Sequence, residues 1–218
     1  MRVNSINSPY SKTAFSAVRL YNVKLKKTAD EKPIKAFFAE LKPDEDAKLL
    51  KEISELWTSD SIVEREFTNY FLQPGSDKRY AVILNNPSRT QAESTVSLVS
   101  ASRLNVLDPS RKVMEINLLQ SVKERGIKGA GELAVYGIVR KARDEGYEKV
   151  VLGSVENAFY DKIKFSRMPE ADLDFQQIGN TPYEVKGKRL EKFLSRVEIK
   201  YSFNSAKRIL QKIFGKIF

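Results

Sequence analysis

The sequence predicts a mixed α/β domain built on a mostly antiparallel central sheet flanked by helices. Three observations point there. Strand-like segments follow one another through turn residues, with no tandem βαβ series. One stretch, through Leu49, Leu50, Ile53 and Leu56, carries apolar residues at helical spacing. A glycine-containing loop lies between one of the strands and a further helix.

Taken in order, residues 1–30 are rich in Ser, Asn and Lys, and form an extended arm or, over the alternating 15–25, a single strand. Pro33 marks a boundary, and 34–41 reads as a strand. Pro43-Asp44-Glu45-Asp46 then opens a helix, because proline and acids suit a first turn with free N–H groups. Leu49, Leu50, Ile53 and Leu56 give that helix its apolar stripe. Ser59 or Asp60 can cap a second helix running through Phe67 and Phe71. Residues 79–84 and 95–104 are strands joined through Asn85-Asn86-Pro87-Ser88, hence an antiparallel pair. A further strand spans 113–119. After the loop 126–131, a helix runs from about 132 to 145 and stops at Gly146. The Val-Val-Leu-rich strand 149–155 is central, and 157–165 is a short helix. Strands are expected around 183–185 and 196–203, and the end of the chain is helical. This divides the chain into a basic arm (1–30), a domain (31–202) and a C-terminal amphipathic helix (203–218).

Composition narrows the chemistry. The 218 residues contain no cysteine and no histidine. Disulfides, thiolate metal sites, a cysteine nucleophile and the Ser-His-Asp triad are therefore excluded. An enzyme of this composition works with carboxylates, phenols, lysines, hydroxyls, backbone amides or water. The net charge of +10 sits at the ends. Residues 1–30 hold six bases against one acid, and 203–218 hold four bases and no acid. The middle carries 28 bases and 27 acids, which makes a nucleic-acid-binding core unexpected. No apolar run is long enough to cross a bilayer, and the polar start gives no secretory signal. A cytoplasmic protein is expected, with the two basic ends as its contacts to anything anionic and the C-terminal helix as a candidate for a membrane surface.

Two segments carry the chemistry. Arg125-Gly126-Ile127-Lys128-Gly129-Ala130-Gly131 stands between a strand and a helix. Glycines let backbone approach a ligand closely, and a helix N-terminus offers N–H groups and a positive dipole end to an anion such as pyrophosphate. Alone, the segment also fits an ordinary turn. Asn157-Ala-Phe-Tyr-Asp-Lys-Ile-Lys-Phe165 follows the next strand, and Phe159, Tyr160 and Ile163 share a helix face that alone reads as core.

Together, in this order and with one helix and one strand between them, the two segments resemble the motifs of the GNAT acetyltransferases. The family's acyl-CoA loop opens a long helix, and its later helix reads Phe-Tyr-x-Lys-x-Gly-Phe, matched here by 159–165. The resemblance covers about 33–165. It departs at one extra residue between Arg125 and Gly129, and at Lys164 where the family has glycine. It implies a GNAT-type sheet splayed at the acyl-CoA site and transfer of an acetyl group from acetyl-CoA to an amine by direct attack. Backbone N–H groups of Ile127, Lys128, Gly129, Ala130 and Gly131, with Arg125, Gly126 and Asn157, would hold the cofactor. A backbone N–H near Leu119 or Gln120 would polarise the thioester carbonyl, and Tyr160 would protonate the leaving thiolate. For the base, Glu115 and Asn117 alternate on one strand face opposite Ile116 and Leu118. Glu115 is the candidate, Glu156 a second, and a surface role for either stays open.

At the C-terminus, Ile209, Leu210, Ile213, Phe214 and Ile217 form one stripe flanked by Lys207, Arg208, Lys212 and Lys216. Such a helix packs on its own domain or docks on an anionic membrane or a protein partner. The functional alternatives are accordingly an N-acetyltransferase, a GNAT-like module that binds acyl-CoA or protein without turnover, and a docking protein acting through this helix.

Overall fold

The computed structural model describes residues 18–25, 34–42, 44–58, 69–73, 75, 77–86, 88–106, 108–122, 127–169 and 180–201. Residues 59–68 of the second helix expected from Ser59 or Asp60, Arg125 and Gly126, and the C-terminal helix lie outside these residues. The strands are β1 (Val18–Leu25), β2 (Ile34–Leu41), β3 (Lys78–Leu84), β4 (Thr95–Leu104), β5 (Val113–Ser121), β6 (Lys149–Ser154), β7 (Ser166–Arg167) and β8 (Thr181–Lys186). The helices are α1 (Ala47–Thr58), α2 (Gln91–Ser94), α3 (Ala130–Asp144), α4 (Asn157–Lys162) and α5 (Gly187–Lys200).

The eight strands form one sheet in the order β1-β2-β3-β4-β5-β6-β8-β7. Every neighbouring pair is antiparallel except β5 with β6. The strand half of the N-terminal alternative is the one that forms: Val18 to Leu25 pair along β2.

Helices cover both faces. On one, α1 places Leu49, Leu50, Ile53 and Trp57, with Phe71, against Ala39, Ala81, Ile83 and Leu98. The acids expected in the first turn of α1 stand just before it: Asp46 is buried and accepts the Lys42 N–H at 2.8 Å. On the other face α3 lies across the sheet, burying Leu133, Ala134, Val135, Ile138 and Val139. Gly137 makes that approach possible, because a Cβ there would stand 2.6 Å from the Phe38 ring. Between β3 and β4, α2 is a single turn fixed by a capping box: Glu93 N donates to Thr90 Oγ1 and Thr90 N to Glu93 Oε2.

The strand expected at 196–203 is overturned, since 187–200 is helix α5 and 202–203 fall outside the described residues. Leu190, Phe193, Leu194 and Val197 recur at helical spacing and all enter the α3-side core. The Val197, Ile199, Tyr201 alternation is a short window on that longer helical period.

Candidate active site

The parallel pair fixes the site. Val113 to Ile116 pair with Lys149 to Leu152, and there the pairing stops. β5 continues along β4 as far as Ser97↔Ser121, while β6 continues along β8 as far as Ser154↔Thr181. The two strands therefore part after Ile116, and from Asn117 onward β5 no longer pairs with β6. The split coincides with an irregularity in β5, where Ser100 faces Leu118 and Ala101 faces Ile116. Asn117 is the extra residue of a bulge, which adds local twist.

The bulge corrects the expected alternation. Ile116 and Leu119 pack into the α3-side core, but Leu118 packs into the α1-side core. Leu118 is thus on the face of Glu115 and Asn117, because one inserted residue reverses a period of two. Glu115 is half-buried on that face, paired across the sheet with Ser102 and Val151 upstream of the split. Gln120 is buried; its main-chain oxygen accepts the Ser97 hydroxyl at 2.9 Å.

On the opposite face three elements converge at the open end. Ser121 Oγ lies 2.8 Å from Ser97 Oγ. A Cβ on Gly131 would stand 3.1 Å from Ser121 Oγ and 3.6 Å from the Phe159 ring, so the end of β5, the first turn of α3 and α4 meet here. Gly129 is the residue before α3 and has φ +91°. Its backbone is in the left-handed region, where a side chain is strained. The first-turn N–H groups of α3 have no acceptor within the helix, as at any helix start. Ile127 is partly buried against the same core, and Lys128 is exposed. Ala130 is buried.

α4 brings Tyr160 into an aromatic group with Phe159, Phe165 and Tyr183, at centroid distances of 4.9, 5.9 and 5.5 Å. Burial raises its phenol well above the ordinary tyrosine value, so it is protonated at neutral pH. Asn157 Nδ2 donates to Thr181 Oγ1 at 2.9 Å, and its Oδ1 is buried with no hydrogen-bond partner. Ser154 Oγ, at the open end of β6, is buried and unpartnered as well. Glu156 is exposed next to Asn157. Lys164 has φ +64°, the only positive φ outside glycine among the described residues. The backbone there adopts a conformation that glycine would suit better than lysine.

A group that sequence reasoning missed belongs to α5. Tyr201, just past α5, donates to Glu132 Oε2 at 2.8 Å, and its ring lies over Gly129. Lys200 also reaches the Glu132 carboxylate, and Arg196 comes within 3.9 Å of it. Arg196 additionally donates to Ile163 O at 2.6 Å. The last turn of α5 thus ties the start of α3 to the end of α4. Only the apolar period of 190–201 hinted at this, and nothing in sequence pairs Tyr201 with Glu132.

No family model matches the chain, and no curated protein matches it. Among solved structures it is similar to Tetrahymena GCN5 (15% identity, 64% of this chain and 87% of that one, TM-score 0.46). It is also similar to Arabidopsis thaliana NAA60 in complex with acetyl-CoA (14%, 69% and 98%, 0.48) and to a GNAT-family acetyltransferase of Staphylococcus aureus Mu50 (13%, 69% and 98%, 0.46). The fold assignment rests on the strand order and register. These give a mixed, mostly antiparallel sheet flanked by helices, with a split between β5 and β6. Among the described residues no helix is long and apolar enough to cross a membrane, and no group of His, Cys, Asp or Glu could hold a metal ion.

Proposed function

We propose that this chain is an N-acyltransferase that moves an acetyl group from acetyl-CoA to an amine. The observation that carries the reading is the split between β5 and β6, with the first turn of α3 at Gly131 and the helix α4 at Phe159 meeting at its open end. An extended thiol ester of the pantetheine type suits such a gap. It can add hydrogen bonds along β5 beyond Ile116, where β6 no longer pairs with it, as another strand would. The buried, unpartnered Oδ1 of Asn157 fits the same group, since pantetheine carries amide donors that an orphan acceptor needs. Backbone N–H groups of 127–131 would take the pyrophosphate, with Lys128 adding charge. Glu132 does not oppose this, because Lys200 and Arg196 offset its carboxylate.

The chemistry follows from the residue types. A neutral amine nitrogen attacks the thioester carbonyl carbon, a C–N bond forms and the C–S bond breaks. A main-chain N–H near Leu119 or Gln120 favours the developing oxygen charge. The amine gives up a proton, for which Glu115 is the candidate acceptor, directly or through water. Tyr160 gives its proton to the departing sulfur; its protonated state supplies the acid that a chain without histidine needs. The test is titration calorimetry with acetyl-CoA, followed by turnover with primary amines in the parent and Tyr160→Phe. Saturable binding, with a kcat lowered by roughly 10²-fold or more in the variant at unchanged acetyl-CoA affinity, supports the reading. Absence of binding at millimolar acetyl-CoA refutes it, and binding without turnover in the parent leaves a binding module.

A further inference from the structure

The α1 face of the split carries a chain of polar groups that acyl transfer, as described, leaves unused. Asn117, the bulge residue, donates from Nδ2 to Asp77 Oδ2 at 2.6 Å and to Ser102 Oγ at 3.1 Å. Tyr70 donates its hydroxyl to the same Asp77 oxygen at 2.5 Å. Asp77 stands just before β3, Ser102 is on β4 and Asn117 is on β5. One carboxylate oxygen thus links the residue at which the sheet divides to a strand two places away. Arg79 on β3 donates Nη2 to the Gln73 main-chain oxygen and so ties the Tyr70 segment to the sheet.

The arrangement has a geometric consequence. A bulge can place its extra side chain on either face or slip along the strand, and each choice re-aims the main chain beyond it. Holding the Asn117 amide on the α1 face puts Asn117 and Leu118 on the same side. Leu119 then turns towards α3, as observed. The orientation of the main-chain N–H groups at 119 and 120 follows from that choice.

We infer that Asp77 is a positioning residue: held by Tyr70, it latches Asn117 and so aims the β5 main chain at the acyl carbonyl. The inference rests on the acyl-transfer reading above. Asp77 works here as a hydrogen-bond acceptor, and an amide oxygen at its place accepts the same two bonds.

The experiment compares Asp77→Ala, Asp77→Asn and Tyr70→Phe with the parent, by calorimetry with acetyl-CoA and by steady-state kinetics on a primary amine. Asp77→Ala should lower kcat by roughly 10- to 100-fold, the scale of a small misplacement of a reacting group, with acetyl-CoA affinity within about 3-fold of the parent. Asp77→Asn should recover most of that loss. Tyr70→Phe, at a partly exposed side chain whose loss leaves the core intact, should lower kcat by roughly 2- to 5-fold, consistent with one hydrogen bond removed from the latch. An Asp77→Ala enzyme with parental kcat overturns the inference. An Asp77→Asn enzyme as impaired as Asp77→Ala also overturns it, because charge would then be what matters. If Asp77→Ala does not fold, a parental kcat in Tyr70→Phe together with an impaired Asp77→Asn overturns it. A parent that fails to bind acetyl-CoA overturns the acyl-transfer reading and this one with it.

Discussion

Replacing Gly129 with alanine tests the turn before α3 directly. Two costs add. An alanine at φ +91° sits in the left-handed region, at about 1–2 kcal/mol. Its Cβ would also stand 2.2 Å from the Tyr201 hydroxyl and 2.9 Å from Cζ, so the ring must move. Moving it breaks the 2.8 Å hydrogen bond to the buried Glu132 carboxylate, worth about 1.5–3 kcal/mol for a charged acceptor. The sum is roughly 2.5–5 kcal/mol, which for a chain of this length lowers Tm by about 5–20 °C. Urea denaturation followed by circular dichroism gives the free energy. The same substitution in a Tyr201→Leu background separates the costs, because only the backbone term of about 1–2 kcal/mol survives there. An equal cost in both backgrounds would show that Tyr201 does not lie over Gly129. A cost under about 0.5 kcal/mol in the parent would refute the left-handed turn itself.

Further outcomes follow from the same geometry. Lys164→Gly should raise stability by about 1 kcal/mol, because it relieves a strained φ of +64° at an exposed residue; thermal unfolding of the two proteins checks it, and a lowered Tm counts against the strain. Alkaline titration should distinguish the tyrosines. Burial raises Tyr136 to about 12 and pushes Tyr160 and Tyr201 up as well. Their folded values exceed the unfolded one near 10, so the stability they contribute is full below pH 10 and is lost as pH rises through the folded values. Phenolate absorbance at pH 11 should show at least these three still protonated, and their ionisation should coincide with unfolding.

Sequence alone specified much of this protein for identifiable reasons. Turn residues between alternating segments specified neighbouring antiparallel strands, and the spacing of Leu49, Leu50 and Ile53 specified α1. Gly129 and Gly131 marked the turn into α3, because local backbone geometry there depends on residue type more than on distant contacts. The absence of cysteine and histidine limited the chemistry before any fold was considered.

Tertiary structure decided what depends on distant partners. Whether β5 and β6 pair or part is not encoded within either strand. It follows from β4 holding β5 to Ser121 while β8 holds β6 to Thr181. The bulge at Asn117 reverses the face of Leu118, and no local period announces an inserted residue whose amide is bonded to Asp77, 40 positions away. A short window of Val, Ile and Tyr at the end of α5 fits a period of two, and only the apolar core under α3 and β8 selects the longer helical period. Tyr201 meets Glu132 across 69 positions. Such a contact forms only once the sheet has ordered both helices, and for that physical reason it lies beyond what spacing along the chain can reveal.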